Sequence, residues 1–303
     1  MPSAKAAFIN TGTRGILAGG RNTAGTYLNS IDYIDIATTG NATDFGDASR
    51  VFGYSACCSS NTRGVIALGA TTSSTLANIE YITIATTGNT TNFGDTTQAR
   101  SGFGGCGNTT RGLFGGGESG SQYNIIDYVT IATTGNATDF GDLTQSKNGV
   151  SACSSSTRGI WQGGDPSGNT NVIEYVTIDS AGNATNFGSL TESCSYTGSC
   201  SSTTRALRGG GRNPNPSNVI DYITIATTGN ATDFGDLTAA RQDLAGACST
   251  YTRGIFSGGW TGSATSNIID YVTIATTGNA TDFGDLTEDR RLGAGMSNGH
   301  GGL

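Results

Sequence analysis

The chain has 303 residues, of which 48 are glycine, and Asp, Glu, Lys and Arg make up 13% of it, against roughly a quarter in an average protein. The excess lies in Gly, Thr, Ser and Asn, residues of turns and short strands, which favours an all-β protein and excludes a helix bundle. With 16 basic and 23 acidic residues, the net charge of −7 excludes a basic surface for nucleic acid. No apolar run or signal peptide is recognised, so we expect no membrane insertion.

One motif recurs six times along the chain. Variants of the string GNATDFGD follow one another every 47 to 49 residues. Their first glycines are Gly40, Gly88, Gly135, Gly182, Gly229 and Gly278. A period of about 40 to 50 residues that holds several short strands is typical of propeller blades, each a sheet that cannot bury both faces alone. Because no linker interrupts the pattern, residues 1–303 are predicted to form one six-bladed β-propeller of four-stranded antiparallel blades.

The fourth unit shows the strands expected within one blade. Strand A is predicted over Ser151–Ser154, strand B over Arg158–Gln162, strand C over Val172–Ile178 and strand D over Ala184–Leu190. The pair Gly182–Asn183 is predicted to turn strand C into strand D. Alternating apolar residues in strand C indicate that a neighbouring blade covers each of its faces.

The two ends of the chain suggest how the ring closes. Five A strands align on a cysteine, at Cys58, Cys106, Cys153, Cys200 and Cys248. The alignment gives one A strand more than there are blades, because Ile9 and Met296 also fall in this position. We predict that the C-terminal strand, within Leu292–Leu303, is the innermost strand of the first blade, which leaves Met1–Asn10 displaced or appended. In the alternative, the surplus strand pairs with another chain.

Each unit carries an arginine at the start of strand B and an acid in strand C. The arginines are Arg14, Arg63, Arg111, Arg158, Arg205 and Arg253, and the acids are Asp32, Glu80, Asp127, Glu174, Asp221 and Asp270. One interpretation is a charged ring that holds an ion on the axis. We favour a repeated structural role, within or between blades, because an unpaired charge on an apolar strand face is costly. The acids could also accept backbone amide hydrogen bonds.

Three repeated features suggest a family. A double glycine closes strand B, a tyrosine follows in strand C and an aromatic residue in strand D. The glycine pairs are Gly19–Gly20, Gly116–Gly117, Gly163–Gly164, Gly210–Gly211 and Gly258–Gly259, with Gly69–Ala70 in the second unit. The pattern resembles the Kelch motif and the propeller of galactose-oxidase-like proteins, although strand D has Phe where Kelch repeats usually have Trp. The string TTGNATDFGD is also similar to Kelch-like repeat proteins of marine bacteriophages, notably cyanophages, which implies a virion structural or fibre-associated component.

Few residues suit catalysis or metal binding. The cysteines of the repeated position are expected to be buried small side chains, with a Cys194–Cys200 bridge as the minor alternative. The single histidine, His300, cannot supply the copper site of galactose oxidase, so the resemblance carries the fold without the activity. A hydrolase triad would depend on the same residue. The sequence therefore predicts no catalytic residue, no metal and no cofactor.

Candidate binding residues lie in the loops that differ between units. In such a blade the B–C and D–A loops share one face, here called the variable face, whereas the near-identical A–B and C–D turns share the other, the uniform face. Side chains that suit sugars occur in the B–C loops. The candidates are Tyr27, Tyr123, Asp165, Asn213 and Trp260. Neutral drift of exposed loops is an equal alternative.

These observations predict a non-enzymatic binding module, located on a phage virion or an extracellular fibre. Its expected partners are other virion or fibre proteins and a host-surface glycan or receptor, bound through the variable face. The alternative is a purely structural subunit that contacts proteins through the uniform face. A polysaccharide-processing enzyme is the least favoured hypothesis.

Overall fold

A computed structural model describes residues 12–303, which contain 25 β-strands and no α-helix. The strands form six antiparallel sheets arranged in a ring. The predicted all-β, six-bladed propeller is therefore confirmed. Within the described range there is no helix with the length and hydropathy of a membrane span.

The strands of each blade are given from the innermost, A, to the outermost, D. Blade 1 has β25 (Ala294–Ser297), β1 (Arg14–Ala18), β2 (Leu28–Asp35) and β3 (Thr43–Phe52). Blade 2 has β4 (Ala56–Ser59), β5 (Arg63–Ala67), β6 (Asn78–Thr83) and β7 (Thr91–Asp95). Blade 3 has β8 (Gly104–Gly107), β9 (Arg111–Gly115), β10 (Ile125–Thr130) and β11 (Thr138–Asp142).

The second half of the ring repeats this order. Blade 4 has β12 (Ser151–Ser154), β13 (Arg158–Gln162), β14 (Thr170–Thr177) and β15 (Thr185–Cys194). Blade 5 has β16 (Gly198–Ser201), β17 (Arg205–Gly209), β19 (Asn215–Thr224) and β20 (Thr232–Arg241), with the two-residue β18 (Arg212–Asn213) beside β19. Blade 6 has β21 (Gly246–Ser249), β22 (Arg253–Ser257), β23 (Ile268–Thr273) and β24 (Thr281–Asp285).

Ring closure follows the prediction. The C-terminal strand β25 pairs antiparallel with β1, with Met296 opposite Ile16, and is the innermost strand of blade 1. The surplus strand thus pairs within the chain. The predicted displacement of Met1–Asn10 lies outside the described residues.

The boundaries of strands A and B in blade 4 agree with the prediction, whereas strands C and D differ. Strand C begins two residues earlier than predicted, at Thr170, and strand D runs on to Cys194. The cause is a register shift after which Thr170 pairs with Cys194, beyond the regular ladder.

The prediction that Gly182–Asn183 forms the C–D turn was wrong. The turn lies earlier, where the Ser180 amide donates to the Thr177 carbonyl at 3.1 Å. Gly182 instead donates to the Phe140 carbonyl of blade 3 at 2.8 Å, and the Asn183 side-chain oxygen accepts from the amide of Asp142. Every Gly-Asn pair makes this contact with the preceding blade, so the motif joins blades and covers the outer edge of strand D.

The core is divided into six apolar clusters, one at each junction between blades. In blade 3, Ile126 and Tyr128 of β10 pack in the cluster toward blade 4. Val129 of β10 and Ile131, the residue after this strand, pack in the cluster toward blade 2. This confirms the predicted alternation in strand C, with a neighbouring blade on each face.

The six repeated arginines join adjacent blades. Each guanidinium lies 4.3 to 4.7 Å from the centre of the strand C tyrosine ring of its own blade. Each also donates to a carbonyl at the end of strand C in the next blade, as Arg63 does to Ile131 at 3.0 Å. The structural interpretation is thus supported, although the arginines do not pair with the repeated acids.

The repeated acids are buried and also bridge blades. Each accepts hydrogen bonds from the amide and hydroxyl of a Thr or Ser that lies in the second half of strand D of the preceding blade or just after that strand. The amide distances are 2.6 to 3.3 Å. Five of the six also meet a buried cation. The pairs are Arg290–Asp32, Arg100–Asp127, Lys147–Glu174, Arg208–Asp221 and Arg241–Asp270. In four of these pairs the cation stands three residues after the Thr that binds the acid, whereas Arg208 lies in strand B of the same blade as Asp221. Glu80 has Phe52 three residues after Ser49, and it accepts a further hydrogen bond from Thr90.

Candidate ligand-binding site

The six D–A connections form a closed ring of backbone hydrogen bonds around the axis. One residue of each connection donates its amide to the carbonyl of its counterpart in the preceding connection, at 2.6 to 3.0 Å. The residues are Tyr54, Gly102, Gly149, Tyr196, Asp243 and Leu292. They surround a shallow cavity of about 60 Å³ at the centre of the variable face, here called the mouth.

All six residues of this ring have positive φ, between 54° and 69°. Glycine adopts that conformation without strain, and it occupies two of the positions. Tyr54, Tyr196, Asp243 and Leu292 adopt it with full side chains, which is uncommon and costs of order 1 kcal/mol or more at each position. The mouth is therefore the place where the six-fold repeat is broken by large side chains on a strained backbone.

The two tyrosines meet across the mouth. Their ring centres are 6.0 Å apart and the rings are nearly perpendicular. A Cβ atom on Gly149 would lie 2.8 Å from the Tyr196 ring. The ring therefore fits in this position because residue 149 has no side chain. Burial raises the pKa of Tyr196, and burial together with Tyr27 and Asp243 raises that of Tyr54. Both hydroxyls therefore stay neutral donors at physiological pH.

Charged groups surround the two rings. The Asp243 carboxylate accepts from Arg291 at 3.1 Å, and its pKa is raised by burial, with Arg291 acting in the opposite direction. The guanidinium of Arg212 lies 5.1 Å from the centre of the Tyr196 ring and pairs with Asp165 at 2.9 Å. Aromatic surface, a carboxylate and guanidinium donors thus lie together in one half-buried site.

The structure links three of the five predicted residues to the mouth. Trp260 lies under the guanidinium of Arg291, 4.9 Å from it, and Asp165 is held by Arg212. Tyr27 packs against Gly53, next to Tyr54 in the chain. Each of these B–C loops also forms a β-bridge or close contact with a D–A connection, so the two sets of loops share the variable face as predicted.

The other two predicted residues have different surroundings. Asn213 is exposed and donates to Glu192 at 2.8 Å. Tyr123 is half-buried, and its amide donates to the carbonyl of Gly117 at 2.8 Å. Neither makes a contact with the mouth in the described residues, and both remain candidates for the rim of a binding site.

Sequence reasoning missed the central residues of the site. Tyr54, Tyr196, Asp243 and Arg291 lie in the D–A connections, whereas all five candidates predicted from the sequence lie in the B–C loops. The signal was available, because Tyr54, Gly102, Gly149 and Tyr196 occupy one repeat position at which the residue type changes sharply.

The opposite end of the axis is closed by serines. The hydroxyl of each A strand serine donates to the carbonyl of the counterpart residue in the preceding A strand, at 2.6 to 2.8 Å. The donors are Ser59, Ser154, Ser201, Ser249 and Ser297. The sixth position is Gly107, which has no hydroxyl to donate to Ser59.

The C-terminal residues fill that gap. The Ser59 carbonyl is 3.1 Å from Nε2 of His300, whose Nδ1 accepts from the amide of Gly302 at 3.1 Å. The imidazole is thus neutral, with its proton on Nε2, and burial lowers its pKa to about 4. Both nitrogens are engaged with backbone groups at the end of the axis opposite the mouth.

The seven cysteines are free and buried, and no Cys194–Cys200 bridge is formed. Sulfur atoms of the repeated position pack against glycines of the next blade, as Cys106 does against Gly159. Burial raises the pKa of Cys153 to about 12, so this thiol stays protonated. Within residues 12–303, no group of three or more His, Cys, Asp or Glu side chains is placed to hold a metal ion.

In comparisons with known proteins, no family model and no curated protein matches this chain.

Proposed function

We propose that the chain is a non-enzymatic binding module that recognises a surface glycan through the mouth and its surrounding loops. The observation that carries the proposal is the strained pair Tyr54 and Tyr196 beside Asp243 and Arg291. Aromatic rings pack against the apolar faces of sugars, and buried carboxylate and guanidinium groups fix the orientation of hydroxyls. Strain at non-glycine residues is maintained where function needs it.

We further propose a Kelch-like protein of a phage virion or extracellular fibre, with other virion proteins as partners. The support is the sequence resemblance together with the double glycines, which have positive φ at both positions in five blades, as Gly19 and Gly20 do. The non-enzymatic assignment is supported by His300, because its two nitrogens bind backbone groups far from the mouth.

A glycan array tests the proposal. The intact chain should be retained on a subset of glycans, and Tyr196→Ala and Trp260→Ala should each weaken retention at least about fivefold, because each removes aromatic surface. Tyr123→Ala and Asn213→Ala report how far the site extends toward the rim. Ser73→Ala, in an exposed loop of the same face, is the matched control. Retention that is equal for native chain and Tyr196→Ala would contradict the proposal.

A second candidate is a structural subunit that binds proteins through the uniform face. It is favoured by the exposed C–D turns, which repeat the same backbone hydrogen bonds around the ring. Purification of the chain only in a stoichiometric virion or filament, with no glycan retained, would support it over glycan recognition.

A further inference from the structure

Open grooves lie at the C–D turns of blades 2 and 5, on the uniform face. Their volumes are about 360 Å³ and 390 Å³, large enough for one sugar ring. Seven of the residues that line one groove correspond by repeat position to residues that line the other. The pairs are Tyr81/Tyr222, Ile82/Ile223, Thr83/Thr224, Thr86/Thr227, Gly88/Gly229, Asn89/Asn230 and Thr91/Thr232.

The groove exists because the Gly-Asn segment of the C–D connection, Gly88–Asn89 in blade 2, packs on the preceding blade and does not close its own hairpin. In blade 2 the last pair between strands C and D is Tyr81 with Thr91. Beyond that pair, the amides of Gly88 and Thr90 donate to carbonyls of blade 1 at 2.8 and 2.9 Å. The segment is therefore drawn toward the neighbouring blade, and the hairpin stays open between its two arms.

The lining is rich in neutral hydrogen-bonding groups. Within residues 12–303, the hydroxyls of Tyr81, Thr86 and Thr87 make no hydrogen bond, and none of the residues lining the groove is charged. Asn89 uses its side-chain oxygen to accept from Asp47, which leaves its NH₂ group to donate elsewhere. The nearby Arg63 is held by two carbonyls of blade 3. Such a site suits a neutral ligand with many hydroxyls.

The threonines of the turn are not required by the fold. The turn in blade 2 uses the amide of Thr86 and the carbonyl of Thr83, and blade 4 forms the same turn with Ser180 followed by Ala181. The other five units nevertheless keep two exposed threonines there, whereas their B–C loops differ. The pairs are Thr38–Thr39, Thr86–Thr87, Thr133–Thr134, Thr227–Thr228 and Thr276–Thr277. Thr38 donates its hydroxyl to Asp35 at 3.4 Å, whereas the other nine hydroxyls make no hydrogen bond within residues 12–303. Repeated exposed hydroxyls without a structural role point to a ligand.

We propose that the C–D grooves of blades 2 and 5, together with the matching turns of the three other blades that keep both threonines, form a set of similar weak sites for a neutral polysaccharide of hexose units. Sugar hydroxyls exchange hydrogen bonds with the Tyr, Thr and Asn side chains of each groove. A long chain that occupies several grooves gains affinity through effective concentration, without a strong contact at any one of them. The net charge of −7 disfavours an anionic polymer here. The grooves lie on the face opposite the mouth and do not depend on its function.

Affinity electrophoresis in gels that contain dextran, mannan or galactan tests the proposal. At least one of these polymers should retard the native chain. Replacing the first turn threonine by Trp in five blades should fill the grooves and raise the dissociation constant at least about tenfold, with intermediate values for one or three replacements. The positions are Thr38, Thr86, Thr133, Thr227 and Thr276. The matched control is the native chain with Ser73→Trp and Ser121→Trp only, which place Trp in exposed loops of the variable face.

A double variant, Thr86→Trp with Thr227→Trp, covers the case in which five replacements disturb folding, and the melting temperature checks each variant. Tyr54→Ala with Tyr196→Ala separates the two sites, since this change should leave retardation unaltered. The proposal is overturned if no neutral polymer retards the native chain, if the folded Trp variants bind as the native chain does, or if the mouth variant alone abolishes binding.

Discussion

Lys147 and Glu174 lie at the junction of blades 3 and 4 with neither side chain exposed, and their charged atoms are 2.5 Å apart. Burial lowers the pKa of Lys147, while Glu174 favours its charged form. The sequence placed the acid in strand C, but it did not identify the cation, because the partner comes from the preceding blade. A Thr-x-x-Lys or Thr-x-x-Arg spacing after strand D was the available signal.

Lys147→Met should lower the free energy of unfolding by about 3 kcal/mol or more, because it leaves a buried carboxylate without its cation. Guanidinium denaturation measures this difference. Arg50→Met, which removes an exposed cation, should change stability by less than about 0.5 kcal/mol. Adding Glu174→Leu to Lys147→Met should restore part of the loss. Equal changes in the free energy of unfolding for Lys147→Met and Arg50→Met would show that the Lys147–Glu174 pair does not stabilise the fold.

His300 makes stability depend on pH. Its pKa is about 4 in the folded chain and about 6.5 in the unfolded chain, because burial disfavours the imidazolium. The neutral ring therefore contributes stability that is fully present above about pH 6.5 and is lost as the pH falls toward 4. His300→Gln should remove this part of the dependence, as seen in denaturation curves between pH 7 and 5. Identical pH profiles for the two chains would contradict the assignment.

The Gly-Asn segment shows what the sequence could not reveal at the level of the strand. Period and residue type predicted the strands of the blades well, since these depend on local alternation. The same Gly-Asn pair fits a tight turn equally well, and only the packing of one blade on the next decides its actual place. The glycine of the Phe-Gly pair in strand D is needed at this contact, as Gly188 shows against Gly229.

Gly188→Ala should destabilise the chain by about 2 kcal/mol or more, because its Cβ would overlap the Gly229 carbonyl and its φ of 157° is rarely adopted by residues with side chains. Gly229→Ala is the matched control from the same contact. A Cβ there meets no atom within 4 Å, so the expected change is within about 0.5 kcal/mol. Thermal unfolding compares the two, and equal effects would contradict the packing argument.

For the whole molecule, the repeat count and the surplus strand were enough to predict a closed ring. The centre of the variable face was less predictable, because Tyr54, Tyr196 and Asp243 are far apart in sequence and meet only where six connections converge. The candidates that the sequence did identify, such as Trp260, belong to longer loops that surround this centre.

Deletion of Leu292–Leu303 should lower the melting temperature sharply. It removes the innermost strand of blade 1 and opens the hydrogen-bonded rings at both ends of the axis. Deletion of Asn298–Leu303 alone keeps the strand and should cost less. Circular dichroism during heating measures the melting temperature of both variants. If the larger deletion melted at the same temperature as the full-length chain, this closure would be wrong.

The central claim is that ligand recognition is concentrated where large side chains interrupt the six-fold repeat. Amide hydrogen exchange of the chain, measured with and without a glycan that binds it on the array, tests this claim most directly. A glycan whose binding is lost in Tyr196→Ala should slow amide exchange in the peptides that contain Tyr54, Tyr196, Asp243 and Arg291. Protection confined to the A–B and C–D turns for every retained glycan would contradict the account.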